Sequence, residues 1–112
     1  MSQIDWNDFQ KVDIRVGTIT EVHDFPKAKK PAFRLVVDFG QEIGTLKSSA
    51  QITDLYDRDS LPGKQVIAVI NFPPRQIGPV MSQCLVTGFH DQNGAVVLAV
   101  PDAHVPDGTR LC

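Results

Sequence analysis

At 112 residues, with 42% hydrophobic and 21% charged side chains, the chain can fold around one core and leaves little room for a second domain, so residues 1–112 are read as one unit. A net charge of −2 argues against a uniformly basic nucleic-acid binder and leaves such a role to a local patch. No run approaches the ~20 apolar residues of a membrane span, and the start Met1-Ser2-Gln3-Ile4-Asp5 lacks a signal-peptide pattern, so a cytoplasmic protein without membrane insertion is expected.

Residues 4–11 read as a helical turn. Asp5 can cap it, and Asp8 sits where an acid complements the helix dipole. Trp6 and Phe9 are expected to seal one end of the core. Residues 12–22 read as the first strand: Val12, Ile14 and Val16 alternate with Asp13 and Arg15. Gly17 breaks the alternation and puts Ile19 on the other parity, which points to a glycine bend or bulge. Residues 25–31 form a basic loop flanked by prolines. Phe33, Leu35, Val37 and Phe39 mark the second strand, and residues 42–48 are a third, weakened by Gly44.

Residues 48–56 are the main helical candidate, because Ile52, Leu55 and Tyr56 have i, i+3, i+4 spacing and Ser48 or Ser49 can cap. Residues 65–72 read as a central strand covered on both faces, since Val66 to Ile70 are continuously apolar. After the loop 73–79 come two more strands, 84–86 and 95–100, joined across the hairpin signal Asn93-Gly94. The tail from Pro101 is expected to be extended, with a turn at Asp107-Gly108. Strands, one helix, then more strands is the order of a five-stranded OB barrel. Spacing alone leaves other small barrels open.

The two cysteines, Cys84 and Cys112, make no metal-ligand pattern; Cys84 reads as a buried thiol and Cys112 as a tail thiol. His23, His90 and His104 are scattered. There is no nucleophile elbow and no phosphate-cradling glycine loop. No catalytic residue, metal or cofactor is expected, and the chain reads as a binding protein rather than an enzyme.

One run is more specific. Asp13-Ile14-Arg15-Val16-Gly17 followed by Ile19 resembles the opening of the tRNA-binding domain family. The likeness continues through Pro26 and Ala28, Val37-Asp38-Phe39-Gly40, Ser49-Ala50-Gln51-Ile52, Gly63-Lys64 and Asn71-Phe72-Pro73-Pro74-Arg75. Within that family, the segments at 25–32, 47–52 and 71–79 are similar to the CsaA-type secretion-associated chaperones. The resemblance implies an OB-fold homodimer that binds unfolded or precursor polypeptides and cooperates with the export machinery. The alternative is an RNA-binding module acting on tRNA. The tRNA-binding members carry a basic residue at the position of Pro73 and typically an Arg at that of Gly78, so the tRNA affinity implied here is weak, because each lost cation removes a phosphate contact.

Three candidate sites follow. The first is the loop with Phe72, Pro74, Arg75, Ile77, Pro79 and Met81, where apolar groups, stiff prolines, an adaptable Met and one cation suit an extended polypeptide. The same residues could instead close the core or a dimer interface. The second is Lys47 with Ser49, whose ammonium and hydroxyl could bind a backbone or a phosphate; helix capping competes for the serine. The third is the cluster Lys27, Lys29 and Lys30, with Arg34 close by, which together with Arg75 could meet RNA phosphates; a solvated loop is the simpler reading. Phe33 beside it could stack on a base, although its parity assigns it to the core.

Overall fold

The computed structural model of the chain describes residues 1–25 and 30–112. The elements are α1 (Trp6–Gln10), β1 (Ile14–Asp24), β2 (Phe33–Asp38), β3 (Thr45–Ala50), β4 (Gln65–Val69), β5 (Arg75–Ile77), β6 (Val80–Ser82), β7 (Leu85–Val86), β8 (Gly88–His90) and β9 (Val96–Leu98). The main sheet runs β3-β2-β1-β4-β7 with antiparallel neighbours, and the hairpins β5–β6 and β8–β9 are appended to it. The sheet curls into a nearly closed five-stranded barrel, so the fold is all-β and of the OB type.

Alternation builds the core. Phe33, Leu35 and Val37 of β2 are buried, and Phe39 continues their parity just beyond the strand, while Arg34 faces outward. Ile19, Leu61 and Val66 fill the centre from β1, the loop before β4, and β4 itself. Each such side chain contributes about 2 kcal/mol by leaving water. Phe33 is therefore a core residue and no stacking platform. A satellite cluster of Phe25, Ala32 and Val80, with Ile77 against it, lies beneath the hairpin β5–β6.

Gly17 has a different role from the expected bend. β1 runs straight through it, and the register shift falls between Ile19 and Glu21. Gly17 faces inward, where a Cβ would stand 2.7 Å from Val37 Cγ1 and 2.8 Å from the Phe39 ring. It is the close-packing point of the barrel wall.

Two other expectations are corrected. Residues 48–56 form no helix. β3 extends to Ala50, Ser48 points into the core, and 51–63 form a chain of turns. Ile52 is buried, Leu55 is exposed, and the Tyr56 hydroxyl accepts a hydrogen bond from the Leu98 N–H at 3.0 Å. The apolar spacing therefore reflects separate tertiary anchors rather than one helical face. The Asp57 carboxylate holds the next turn by accepting from the N–H groups of Asp59 and Ser60. The helical turn at the N-terminus does form, with a reciprocal capping box between Asp5 and Asp8. Its aromatics do not seal the core: Trp6 is 63% exposed, paired with Phe9 at 5.1 Å between ring centroids.

The turn at Asn93-Gly94 and the extended tail match expectation, but the hairpin joins β8 to β9, while β7, the strand expected at 84–86, pairs with β4. The Asp91 carboxylate accepts from Asn93 and Ala95 N–H groups, and Gly94 takes φ +83°. The tail returns alongside the first half of β1, with backbone bonds from Val16 to Thr109, Gly108 to Val16 and Leu111 to Ile14.

Candidate functional site

The free edge of β3 is where the site is assembled. The hairpin β5–β6 lies against it, fixed at Gln83. The Gln83 N–H donates to the Lys47 carbonyl at 2.7 Å, and its side-chain oxygen accepts from the Lys47 N–H at 2.9 Å. The Ser82 hydroxyl accepts, more weakly, from the Ser49 N–H at 3.5 Å. The edge is thus covered by one backbone N–H and by the Gln83 and Ser82 side chains rather than by a continuous ladder.

Two open grooves adjoin at Gln83. The larger, about 790 Å³, is lined by Ser49, Phe72, Pro73, Pro74, Arg75 and Leu85, with Ile77, Ser82 and Cys84 on its floor and sides. Phe72 is 55% and Leu85 50% exposed, so apolar surface faces water here. The smaller, about 520 Å³, has a different lining: Glu21, His23, Arg34, Lys47 and Met81, over Leu35, Val36 and Val80. Of the residues expected at a peptide site, the structure brings Ser49, Phe72, Pro74 and Arg75 together and puts Lys47 and Met81 in the neighbouring groove. The register accounts for Arg75 and Met81 but not for the whole lining: Gln76, on Met81's face, also lines the larger groove, and Val80, on Arg75's face, the smaller one. Arg75 stands opposite Ser82 and Gln76 opposite Met81, so Arg75 and Met81 project from opposite faces of the hairpin.

The loop that carries Phe72 is anchored at its start. The Asn71 side chain accepts from the Asp13 N–H at 2.9 Å and donates to the Lys11 carbonyl at 2.7 Å. Asp13 in turn holds Arg15 Nε at 2.6 Å and Arg110 Nε at 3.6 Å, and Arg15 also donates to the Gly108 carbonyl. The hydrogen bond to Asp13 keeps the Arg15 guanidinium above its ordinary pKa. The distinctive run 13–17 is therefore framework: it ties the tail, β1 and the base of the loop together and reaches neither groove.

The charges of the two grooves are uneven. Arg15 and Arg110 bind Asp13, Arg58 binds Asp24, and Lys11 binds Asp8. Among the described residues Arg34, Lys47 and Arg75 have no carboxylate partner, and all three line the grooves. The one acid present, Glu21, is engaged by His23 at 3.3 Å. Lys30 is exposed; Lys27 and Lys29 lie outside the described residues. Cys84 is a buried thiol beneath the larger groove, and burial pushes its pKa up to about 11 while a hydrogen bond with Ser48 pulls the other way. It stays protonated and unreactive at neutral pH. Among the described residues no three His, Cys, Asp or Glu side chains stand close enough to hold a metal, and no helix is long and apolar enough to cross a membrane.

Sequence reasoning missed the lining roles of Gln83, Leu85 and Ser82. Arg34, which the sequence places only near the lysine loop, lines the smaller groove together with Lys47.

Residues 14–110 match the family model described as "Putative tRNA binding domain". Among solved structures, the chaperone CsaA from Bacillus anthracis is similar at 41% identity and TM-score 0.92, over 99% of this chain and 100% of that one. The CsaA chaperone protein from Picrophilus torridus is similar at 49% identity and TM-score 0.91, over 98% and 100%. The methionine–tRNA ligase of Methanocaldococcus jannaschii is 34% identical over 99% of this chain, which spans only 17% of that ligase's length. The chain belongs to the tRNA-binding domain family, within which its likeness to the CsaA chaperones extends over the whole length of both chains.

Proposed function

We propose that the protein is a non-enzymatic chaperone of the cytoplasm that holds extended segments of unfolded or precursor polypeptides, acts as a homodimer and serves the export machinery. One observation carries this reading: the larger groove presents Phe72, Pro73, Pro74 and Leu85 to water around a single unpaired cation, Arg75. An unfolded client offers apolar side chains and backbone carbonyls. An apolar floor takes the former, and a guanidinium with fixed donors takes the latter. The prolines limit the entropy lost when the loop binds. Two such grooves on a dimer would hold one client with more avidity than either alone. The likeness to CsaA chaperones supports the same reading.

The second reading, weak tRNA binding, is favoured by the unpaired cations Arg34, Lys47 and Arg75, with Lys27, Lys29 and Lys30 as further contributors. Against it, the grooves offer only two aromatic rings among the described residues, Phe72 in the larger and the His23 imidazole in the smaller, so neither groove has a row of rings on which successive bases could stack.

One binding series separates the two: an unfolded precursor and tRNA, each titrated from low to high salt. The chaperone reading expects tighter binding of the polypeptide with a shallow salt slope. The double variant Phe72→Ala, Arg75→Ala, with folding and dimer state checked first, should lower polypeptide affinity at least tenfold. Unchanged affinity would place the site elsewhere, and nanomolar tRNA binding at physiological salt would favour the RNA reading. Sedimentation giving a 12.3 kDa monomer at micromolar concentration would remove the two-groove dimer.

A further inference from the structure

The two grooves differ in chemistry and share a wall. Lys47 and Ser49 lie two residues apart on β3, about 7 Å along the strand, and one lines the charged groove while the other lines the apolar one. Gln83 lines both. An extended segment of roughly six to eight residues, rising about 3.3 Å per residue, is long enough to occupy both at once.

Across these grooves the cations Arg34, Lys47 and Arg75 have no carboxylate partner among the described residues; the sole acid, Glu21, shares a hydrogen bond with His23 and offsets only one of the three positive charges. The chain as a whole is acidic, with net charge −2, so this face is a local reversal of sign. Resting on the chaperone reading, we infer that the site is bipartite and selects by charge: it takes extended polypeptide in which an apolar stretch adjoins acidic residues, the apolar part over Phe72 and Leu85 and the acidic part over Arg34 and Lys47. A segment with apolar residues beside basic ones, the pattern of a secretory signal, meets the cations with the wrong sign. The clients so favoured are acidic–apolar stretches of a polypeptide rather than its signal-like segment. Like charges facing each other discriminate between partners as effectively as attractive ones.

The test uses the full-length protein and three fluorescein-labelled probes read by anisotropy. Two are peptides with the same six-residue apolar core, one flanked by three Glu and the other by three Lys. The third is a single-stranded oligouridylate carrying the same charge as the acidic peptide. Exposed ion pairs each account for a factor of roughly two to five, so the acidic peptide should bind about tenfold tighter than the basic one at low salt, and the ratio should shrink as salt rises. The double variant Arg34→Gln, Lys47→Gln should bring the ratio to about one. Phe72→Ala should weaken both peptides while the ratio persists. Equal binding of the two peptides, or tighter binding of the basic one, overturns the charge selection and leaves the apolar groove as a peptide site. Failure of both peptides to bind overturns the chaperone reading and this inference with it. Binding of the oligouridylate without the acidic peptide overturns the polypeptide as occupant.

Discussion

Gln83 is the joint between the barrel and both grooves, and substituting it tests how the site is held. In Gln83→Ala the backbone bond from residue 83 to the Lys47 carbonyl remains, while the Lys47 N–H loses its 2.9 Å acceptor. Gln83 is only half-buried, so water can replace the lost partner, and the cost should be that of an ordinary hydrogen bond, about 0.5–1.5 kcal/mol, rather than that of a stranded buried amide. For a chain of this size that corresponds to a fall in Tm of roughly 2–7 °C. Gln83→Glu keeps an acceptor at the same place, so stability should stay within about 0.5 kcal/mol of the parent, yet it sets a negative charge beside Lys47. Binding of the acid-flanked peptide should then fall severalfold while the basic one gains. Urea denaturation gives the stability change, and amide hydrogen exchange gives the protection of the Lys47 N–H, which should drop in the Ala variant and persist in the Glu variant. An Ala variant with unchanged stability and an equally protected Lys47 amide would refute the idea that this side chain fastens the hairpin to β3.

Gly17→Ala should destabilise by about 1–3 kcal/mol, because its Cβ would enter space held by Val37 and Phe39; a gain in stability in urea unfolding would show that the barrel wall yields there. Leu61→Ala, at a fully buried position, should cost about 2–5 kcal/mol, measured the same way. Thiol labelling with DTNB at neutral pH should modify Cys112 at once and Cys84 only as fast as the protein opens; equal rates would contradict the burial of Cys84. The Cys84 thiol titrates near 9.0 when free and about 11 when folded, so between these values the unfolded chain binds fewer protons than the folded one and stability declines as pH rises. The expected loss is about 2 kcal/mol by pH 10.5, read as a fall in the urea midpoint that is absent in Cys84→Ala.

Much of the barrel was legible because it depends on alternation. Phe33, Leu35, Val37 and Phe39 declare one inward face, and the run Val66 to Ile70 declares a strand covered on both sides. The places where reading failed are those where a local pattern had two physical causes. Ile52, Leu55 and Tyr56 have helical spacing, but Ile52 is buried in the core, Tyr56 accepts from the Leu98 amide and Leu55 goes to water. The sequence distance to Leu98 hides the second anchor. Gly17 carries the composition of a bend, yet the neighbours that forbid a Cβ there come from β2 and the residue beyond it. Trp6 and Phe9 satisfy each other locally, so their apolar character implied nothing about the core.

The site was legible in the run from Phe72 to Arg75 and at Ser49, which the family resemblance singles out, but not in how the other residues divide between two grooves. Phe72, Pro74 and Arg75 lie within four residues and share a groove, whereas strand alternation in the returning strand puts Met81 on the face opposite Arg75, and it lines the neighbouring groove. The charge of the site is harder still to read, because a cation matters to a ligand only if no carboxylate of the protein holds it. Arg15 and Arg34 look equivalent as strand residues flanked by apolar ones. The first is engaged by Asp13, two residues away, and belongs to the framework. The second stands opposite Ser49 in the β2–β3 register and has no acid to meet among the described residues. The opening run of the family motif, Asp13 to Gly17, thus spends its charges in holding the fold. On the reading proposed above, ligand choice falls to residues whose charges the fold leaves unpaired, Arg34, Lys47 and Arg75.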